Sequence, residues 1–364
     1  MLFRSSLRGD MLTPEIMPNL WRFASEHGRR YTDHFSGGNG TRMGIFSLFY
    51  GLPGNYWFSF LNARKPPLLI TEMQRRDYRF GLYTSARFSY PEFDKTVFAG
   101  VPGEVMVSDD TGQGWQRDRR NVARLLDFLR QDGGGQPFFG FMFFESPHAR
   151  YYFPEESVIR SDYLADFNYA TMDVNEDMPR IFNRYINSVH HLDQQLGRVL
   201  DELESSGQLD NTLVVITGDH GEEFMEHGRW GHNSEFHDEQ VHVPLVIAGP
   251  GIDPAVINLP TSHLDVAPTV MRRLGVTSPS SDYAVGVPLD QVSPDRYRLA
   301  ASWAAVAYMS ERFKIAMPMN AGGLAEMKIS GADDEPVAAE EGVFVREQPR
   351  PARVLPALSR FSRK

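Results

Sequence analysis

The chain has 364 residues, a formal net charge of −10 and no cysteine, and 41% of its residues are hydrophobic. This composition predicts a globular protein with an ordinary packed core. The absence of cysteine excludes disulfides, thiolate metal sites and thiol nucleophiles. The negative charge argues against a nucleic-acid partner, because such proteins usually present a basic surface to phosphates. We find neither a run near the ~18 apolar residues of a membrane span nor a secretory signal.

Short apolar runs mark the predicted strands. A helix is predicted over residues 68–73, followed by a strand over Arg79–Thr84. The runs Phe138–Phe144, 213–217 and 243–248 are continuously apolar, which is typical of parallel strands that are buried on both faces. They are therefore predicted to be the central strands.

The segment between the first two of these runs has a helical pattern. Apolar residues recur at three- and four-residue steps from Ile181 to Leu203, which predicts an amphipathic crossover helix closed by Gly207. Alternating strands and helices predict an α/β fold with a mostly parallel central sheet and helices on both faces. The composition changes after about Pro288, which predicts one domain over residues 1–288 and a small C-terminal subdomain over 289–364.

The residues best suited to catalysis or metal binding follow the run at 213–217. In open α/β sheets ligands gather at the carboxyl ends of strands, and Asp219 and His220 at this place can bind one divalent ion. By themselves these two residues could equally form a turn that caps a helix. Four histidines between His220 and His237, with acidic neighbours, favour a polar pocket, although not all of them need be ligands.

Several segments resemble, in order and spacing, the sulfatase-like branch of the alkaline phosphatase superfamily. They are Gly-Asp-His-Gly-Glu-Glu at 218–223, Gly-His at 231–232, Val-His-Val-Pro-Leu-Val-Ile-Ala-Gly-Pro-Gly at 241–251 and Ser-His-Leu-Asp-Val-Ala-Pro-Thr at 262–269. The resemblance implies that family's sandwich fold and a metal-bound nucleophile at the start of a helix. The glycine-rich segment 37–53 matches that element and places Thr41 at the nucleophile's position. Without the Asp-His segment, Thr41 would be interpreted as an ordinary N-cap.

The identity of the nucleophile separates two kinds of chemistry. Sulfatases use a modified cysteine or serine, whereas Thr41 resembles the nucleophile of phosphoethanolamine and phosphoglycerol transferases. His232, twelve residues after His220, and His148 resemble the substrate-phosphate histidines of those transferases. The resemblance therefore implies a site in which Asp219, His220 and Thr41 bind Mn, Zn, Mg or Ca. The expected substrate is a phosphate or sulfate ester, with phospholipid and lipopolysaccharide head groups among the candidates.

The run at 39–51 and the strand at 80–84 also resemble inner-membrane sulfatase-like proteins of Gram-negative bacteria. This likeness implies a domain at the periplasmic face of the inner membrane, attached through a segment absent from this chain. Ser5 occupies the position of an acidic metal ligand of the family, and the first strand is expected to be truncated. Because that change weakens metal binding, a second interpretation stays open, in which the domain is a non-catalytic lipid- or protein-binding regulator of envelope lipid homeostasis.

Overall fold

The computed structural model describes residues 2–4, 6–131, 133–319, 327–337 and 354–361. Its strands, numbered in chain order, are β1 Leu2–Arg4, β2 Gly28–Tyr31, β3 His34–Phe35, β4 Arg79–Thr84, β5 Met106–Ser108, β6 Phe138–Phe144, β7 Val214–Gly218, β8 Glu223–Phe224, β9 Trp230–Gly231, β10 Leu245–Ala248, β11 Ala255–Ile257, β12 Thr261–Ser262, β13 Arg298–Ala301, β14 Ala305–Met309, β15 Phe313–Pro318 and β16 Lys328–Gly331.

The helices that flank these strands have the following bounds in the described part of the chain: α1 Pro18–His27, α2 Thr41–Tyr50, α3 Trp57–Ala63, α4 Leu68–Arg75, α5 Gly114–Arg130, α6 Val174–Ser205, α7 Asp238–Val241, α8 Val266–Arg273 and α9 Val354–Ser359. The predicted crossover helix is α6, and its N-terminus is capped by the Asp173 side chain, which accepts from two backbone N–H groups. Gly207 follows α6 with φ = 71°, a left-handed conformation that glycine adopts without steric cost.

The main sheet has eight described strands in the order β11-β2-β10-β7-β1-β6-β4-β5. Strands β7, β1, β6, β4 and β5 run parallel to one another, and the predicted strands at β4, β6 and β7 are present. The prediction for the run at 243–248 was wrong in direction, because β10 is antiparallel to both β7 and β2. An apolar run reports burial on both faces of a sheet, and it carries no information on strand direction.

The strand β1 lies in the middle of this sheet. It is three residues long and pairs in parallel with β6 on one side and with β7 on the other. The first strand, which was expected to be truncated, is thus present as a short strand at the centre of the sheet. Ser5, the position of the altered metal ligand, lies outside the described residues.

Apolar side chains cover the sheet on both faces. Helices α1, α5 and α6 supply one buried cluster, with Phe23, Leu125 and Leu192 among its members. Helices α2, α4 and α8 contribute to the other, with Phe46 and Ile70 among its members. This arrangement confirms the predicted α/β fold, a mostly parallel sheet between two helical layers.

The four-stranded antiparallel sheet β13-β14-β15-β16 follows Pro288. It packs on the main body, because Leu299 and Ala301 belong to the cluster beneath α2 and the Ala301 N–H donates to the Gly37 carbonyl at 2.9 Å. The domain division at residue 288 stays a prediction. Within the described ranges, none of the helices is both long and apolar enough to pass through a bilayer.

Candidate active site

The site lies where β7 ends and α2 begins. Asp219 and His220 directly follow β7, and Thr41 is the first residue of α2. The helix approaches the loop closely, because a Cβ added at Gly44 would lie 2.0 Å from the Asp219 carbonyl oxygen. Likewise, a Cβ at Gly40 would lie 1.8 Å from the Asn233 side-chain oxygen. The glycines around Thr41 therefore let the start of α2 contact two segments of the site.

Three side chains meet at this point. The Thr41 Oγ1 atom lies 3.2 Å from His220 Nε2, and this nitrogen lies 3.4 Å from Asp219 Oδ2. The His220 ring is oriented by its other nitrogen, because Nδ1 lies 2.7 Å from the Gly221 carbonyl oxygen and can donate to it. Nε2 is therefore directed to Thr41 and Asp219 with its lone pair available.

The polar atoms of Asp219 fit a bound metal ion. Its Oδ1 accepts from the backbone N–H groups of His220 at 2.8 Å and Ser6 at 3.1 Å. Its Oδ2 and the Ser6 hydroxyl are buried and have no hydrogen-bond partner among the described residues. A buried polar atom without a partner is costly, and a cation at this place would remove that cost.

Protonation at the site also fits a metal. Burial raises the pKa of Asp219 to about 7, so that an ionised carboxylate here needs a positive partner. Burial holds the pKa of His220 well below its usual value, assisted by the nearby His232, so the imidazole is neutral at pH 7. Neutral imidazole is the form that binds metals. A carboxylate, an imidazole and a hydroxyl are a donor set suited to Zn or Mn.

The two predicted substrate histidines lie beside this centre. The His232 and His220 rings are 4.2 Å apart, and the His148 and His232 rings are 5.9 Å apart. His220 is fully buried, the His232 side chain is 19% exposed and the His148 side chain is 39% exposed. This gradient means that the site opens to solvent on the side of His148. The structure thus brings all five predicted residues together.

Glu222 is a member of the site that the sequence did not single out. Its Oε2 lies 2.7 Å from His232 Nδ1, and its Oε1 accepts from the Tyr151 hydroxyl at 2.7 Å. Burial would raise the pKa of Glu222, but the positive charge of His232 outweighs it and holds this pKa at about 2. Burial likewise opposes protonation of His232, yet Glu222 raises its pKa above the ordinary value.

Ligand atoms of His220, Glu222 and His232 lie within 4.8 Å of one another and form an alternative metal group. We favour the group of Asp219, His220 and Thr41. Both carboxylate oxygens of Glu222 already bind other side chains, whereas Oδ2 of Asp219 has no hydrogen-bond partner in the described part of the chain.

The remaining residues considered from the sequence lie apart from this centre. The His227 and His237 rings pack on each other at 4.6 Å and pair with carboxylates of Glu239 and Glu223. Asp10, five residues after Ser5, is engaged elsewhere, because both of its oxygens accept from the Arg8 guanidinium.

Two buried aspartates outside this centre bind backbone groups. Asp193 accepts from the N–H groups of Asn19 and Leu20 at the start of α1. Asp265 accepts from those of Ser262 and Val287. Both therefore fix helix ends and loops.

Comparison with known proteins places the chain among sulfatases and their relatives. A family model described as Sulfatase matches residues 7–276. The inner membrane protein YejM of Salmonella typhimurium is 30% identical over 272 residues, covering 74% of this chain and 40% of that protein. This chain spans between 40% and 44% of the length of the first curated relatives that it matches.

Solved structures show the same fold. The phosphonate monoester hydrolase of Silicibacter pomeroyi superposes with a TM-score of 0.73 at 16% identity, covering 98% of this chain and 94% of that one. The lipoteichoic acid synthase LtaP of Listeria monocytogenes gives 0.67 at 16% identity, covering 98% and 90%. With a family model that matches most of its length, the chain belongs to the sulfatase family.

Proposed function

We propose that the protein is a metal-dependent hydrolase or group transferase that acts on phosphate or sulfate esters, with Thr41 as its nucleophile. One observation carries the proposal: the Thr41 hydroxyl lies at the N-terminus of α2, 3.2 Å from His220 Nε2 and beside the unpaired Asp219 oxygen. A helix N-terminus offers free backbone N–H groups and a positive dipole end, which favour an anionic ester at the nucleophile.

The residues divide the chemistry among them. A metal held by Asp219, His220 and Thr41 would lower the cost of an alkoxide and polarise the ester. Thr41 Oγ1 forms a bond to the ester's central atom as the bond to the leaving oxygen breaks. His232 and His148 lie close together and are placed to stabilise the non-bridging oxygens by hydrogen bonds or to protonate the leaving oxygen. Water or an acceptor hydroxyl then releases the group from Thr41.

Phosphate is the favoured ester. The chain has no cysteine, and threonine stands at the nucleophile's position. Histidines at 148 and 232 supply ring N–H donors of the kind that a phosphoryl group needs. A protein named lipoteichoic acid synthase, LtaP, has the same fold.

The test compares Thr41→Ala and Thr41→Ser with the wild type on bis-p-nitrophenyl phosphate and p-nitrophenyl sulfate, with Mn²⁺ or Zn²⁺ present. We expect diester hydrolysis to fall by about 10³-fold or more in Thr41→Ala, since the attacking atom is lost. Thr41→Ser should retain part of the rate because it keeps a hydroxyl. Equal rates for the wild type and Thr41→Ala would remove Thr41 from this role.

A non-catalytic role in envelope lipid homeostasis is the second candidate. It is favoured by the 30% identity to a protein named for its place in the inner membrane. In that case the domain would lie at the periplasmic face of the membrane and bind a phospholipid or lipopolysaccharide head group without converting it. Binding of anionic vesicles by the wild type, unchanged in Thr41→Ala and without any ester hydrolysis, would favour this candidate over the enzyme.

A further inference from the structure

A buried chain of hydrogen bonds ends at His232. The Trp230 ring N–H donates to the Tyr151 hydroxyl at 3.2 Å, and this hydroxyl donates to Glu222 Oε1 at 2.7 Å. The other carboxylate oxygen of Glu222 accepts from His232 Nδ1 at 2.7 Å. Each donor thus has one acceptor, and both oxygens of the carboxylate are used.

The middle of this chain is sealed from solvent. Tyr151 is fully buried, and only 2% of Glu222 is exposed. Tyr151 packs against Tyr185 and Phe224, with ring centroids 5.7 and 5.5 Å away. A charged carboxylate in such surroundings is costly unless every oxygen is bonded.

The backbone supports the same interpretation. Tyr151 adopts φ = 54°, a left-handed conformation that is unfavourable for a bulky residue. Strain of this kind persists only where the surroundings enforce it, and it is concentrated at functional sites. The conformation places the tyrosine hydroxyl on Glu222 while His148, three residues earlier, lies at the mouth of the site.

This chain of hydrogen bonds joins the two segments that carry the predicted substrate histidines. One segment supplies His148 and Tyr151, and the other supplies His232 and Trp230. Glu222, from the Asp-His loop, is bonded to one residue of each segment. The Glu222 carboxylate therefore holds both segments against the loop that carries Asp219 and His220.

We propose that Glu222, held by Tyr151 and Trp230, is a positioning residue that fixes the ring of His232 and directs its Nε2 to the ester. The proposal rests on the proposed function for the identity of the ligand. With Nδ1 bonded to Glu222, Nε2 is the nitrogen left for substrate, and it makes no hydrogen bond within the described part of the chain. The rings of His220 and His148 also lie near it, with centroids 4.2 and 5.9 Å from that of His232.

The first test reads the imidazole directly and needs no activity. In protein labelled with ¹⁵N-histidine, the His232 signals are assigned by their loss in His232→Gln. We expect a proton on Nδ1 that exchanges slowly with solvent in the wild type and is no longer held in Glu222→Ala. Glu222→Gln should retain it, because the amide oxygen can accept the same bond. An unprotonated Nδ1 in the wild type, or an unchanged signal in Glu222→Ala, would overturn the proposal.

Tyr151→Phe is the second variant. It removes one hydrogen bond from Glu222 and leaves the carboxylate in place. If Glu222→Ala does not fold, the decisive result is a displaced His232 Nδ1–H signal in Tyr151→Phe, and an unchanged signal would contradict the proposal. Glu239→Ala is the matched control, because its carboxylate lies 3.5 Å from His227 Nε2 in a pair outside the site. This control should leave the His232 signals as they are.

The second test is kinetic. Loss of a residue that orients a catalytic group typically costs about 10- to 100-fold, so Glu222→Ala should lower kcat for diester hydrolysis by this factor. The change in KM should be smaller, and Glu222→Gln should recover much of the rate. If the wild type hydrolyses no ester, the proposed function fails while the orientation of His232 is still decided by the NMR result. An active wild type whose kcat is equal in Glu222→Ala would refute the positioning role.

Discussion

At the scale of one residue, the surroundings of Asp219 favour a bound cation. Its carboxylate is completely buried, one of its oxygens accepts two backbone N–H bonds, and the other has no partner among the described residues. Burial raises its pKa to about 7, which means that the protein by itself stabilises the ionised form poorly. A divalent ion between Asp219 and His220 would supply the missing interaction.

We therefore predict that Asp219→Ala abolishes metal binding. In the wild type, Mn²⁺ or Zn²⁺ at 100-fold excess over its Kd should stabilise the fold by about 2.7 kcal/mol, because the ion binds the folded state only. Elemental analysis after dialysis and the shift of Tm with added metal measure the effect. Glu72→Ala is the control, because its carboxylate pairs with Arg75 and Arg76 at the end of α4, and it should retain both the bound metal and the shift of Tm. Stoichiometric metal retained by Asp219→Ala would show that the ion is bound elsewhere.

The sequence was sufficient to predict which residues come together at the candidate site, and insufficient to predict the contacts that hold them there. Asp219, His220 and His232 occur in one short segment with family spacing, and Thr41 follows a run of glycines, so each is visible from its neighbours in the chain. Tyr151 and Glu222 are 71 positions apart, and their contact exists only through the folding of the main sheet. Side-chain partnerships of this range have no signal in a single sequence.

At the scale of elements, the approach of α2 to the loop after β7 determines the geometry of the site. Gly44 lies one turn after Thr41 and has no room for a side chain, since a Cβ would lie 2.0 Å from the Asp219 carbonyl oxygen. In an ordinary helix interior, alanine in place of glycine would be stabilising by roughly 0.5–1 kcal/mol. Here the contact is with backbone, which cannot move aside without displacing Asp219.

Gly44→Ala is accordingly predicted to destabilise the protein by about 1–3 kcal/mol, the usual range for overpacking. It should also lower ester hydrolysis, because α2 and Thr41 are pushed from the Asp-His loop. Gly114→Ala is the control, since this glycine begins α5 and its added Cβ would meet Glu145 at an ordinary 3.4 Å. Urea unfolding and kcat provide the two measurements. Equal stability for the two variants would argue against close packing of α2.

Elements were predicted well where local pattern determines them. The spacing of apolar residues identified α6, and continuous apolar runs identified β6 and β7. The direction of β10 could not be obtained in this way, because it is fixed by pairing with β2 and β7 from distant parts of the chain. Local burial thus specifies an element, and long-range pairing specifies its orientation.

At the scale of the whole molecule, two buried histidines connect parts that are distant in the sequence: β3 and α2 near the N-terminus, and the segment at 261–263. His34 in β3 lies 3.0 Å from the Thr261 hydroxyl of β12, and its ring is 5.3 Å from that of His263. The Nδ1 of His263 lies 3.1 Å from the Gly44 carbonyl oxygen. Both rings are fully buried, and in each the Nε2 atom has no partner in the described residues. Such rings are stable in the fold only when neutral.

This pair predicts loss of stability in mild acid. Burial lowers the pKa of His263 to about 4 and holds the pKa of His34 well below its usual value. As the pH falls below about 6.5, these histidines become protonated in the unfolded chain but stay neutral in the folded protein. The contribution of the two histidines to the free energy of unfolding is thus complete above that pH. It is lost as the pH falls towards 4, by up to about 1.4 kcal/mol per pH unit for each histidine.

Urea unfolding at about pH 7.5 and 5 measures this dependence. His263→Asn retains an N–H donor for the Gly44 carbonyl oxygen but does not titrate. On acidification its free energy of unfolding should therefore fall by about 2 kcal/mol less than that of the wild type. His27→Asn is the control, since that side chain is 36% exposed, and it should follow the wild type. If His263→Asn lost as much stability in acid as the wild type, the acid sensitivity of the molecule would have to come from its carboxylates instead of this buried pair.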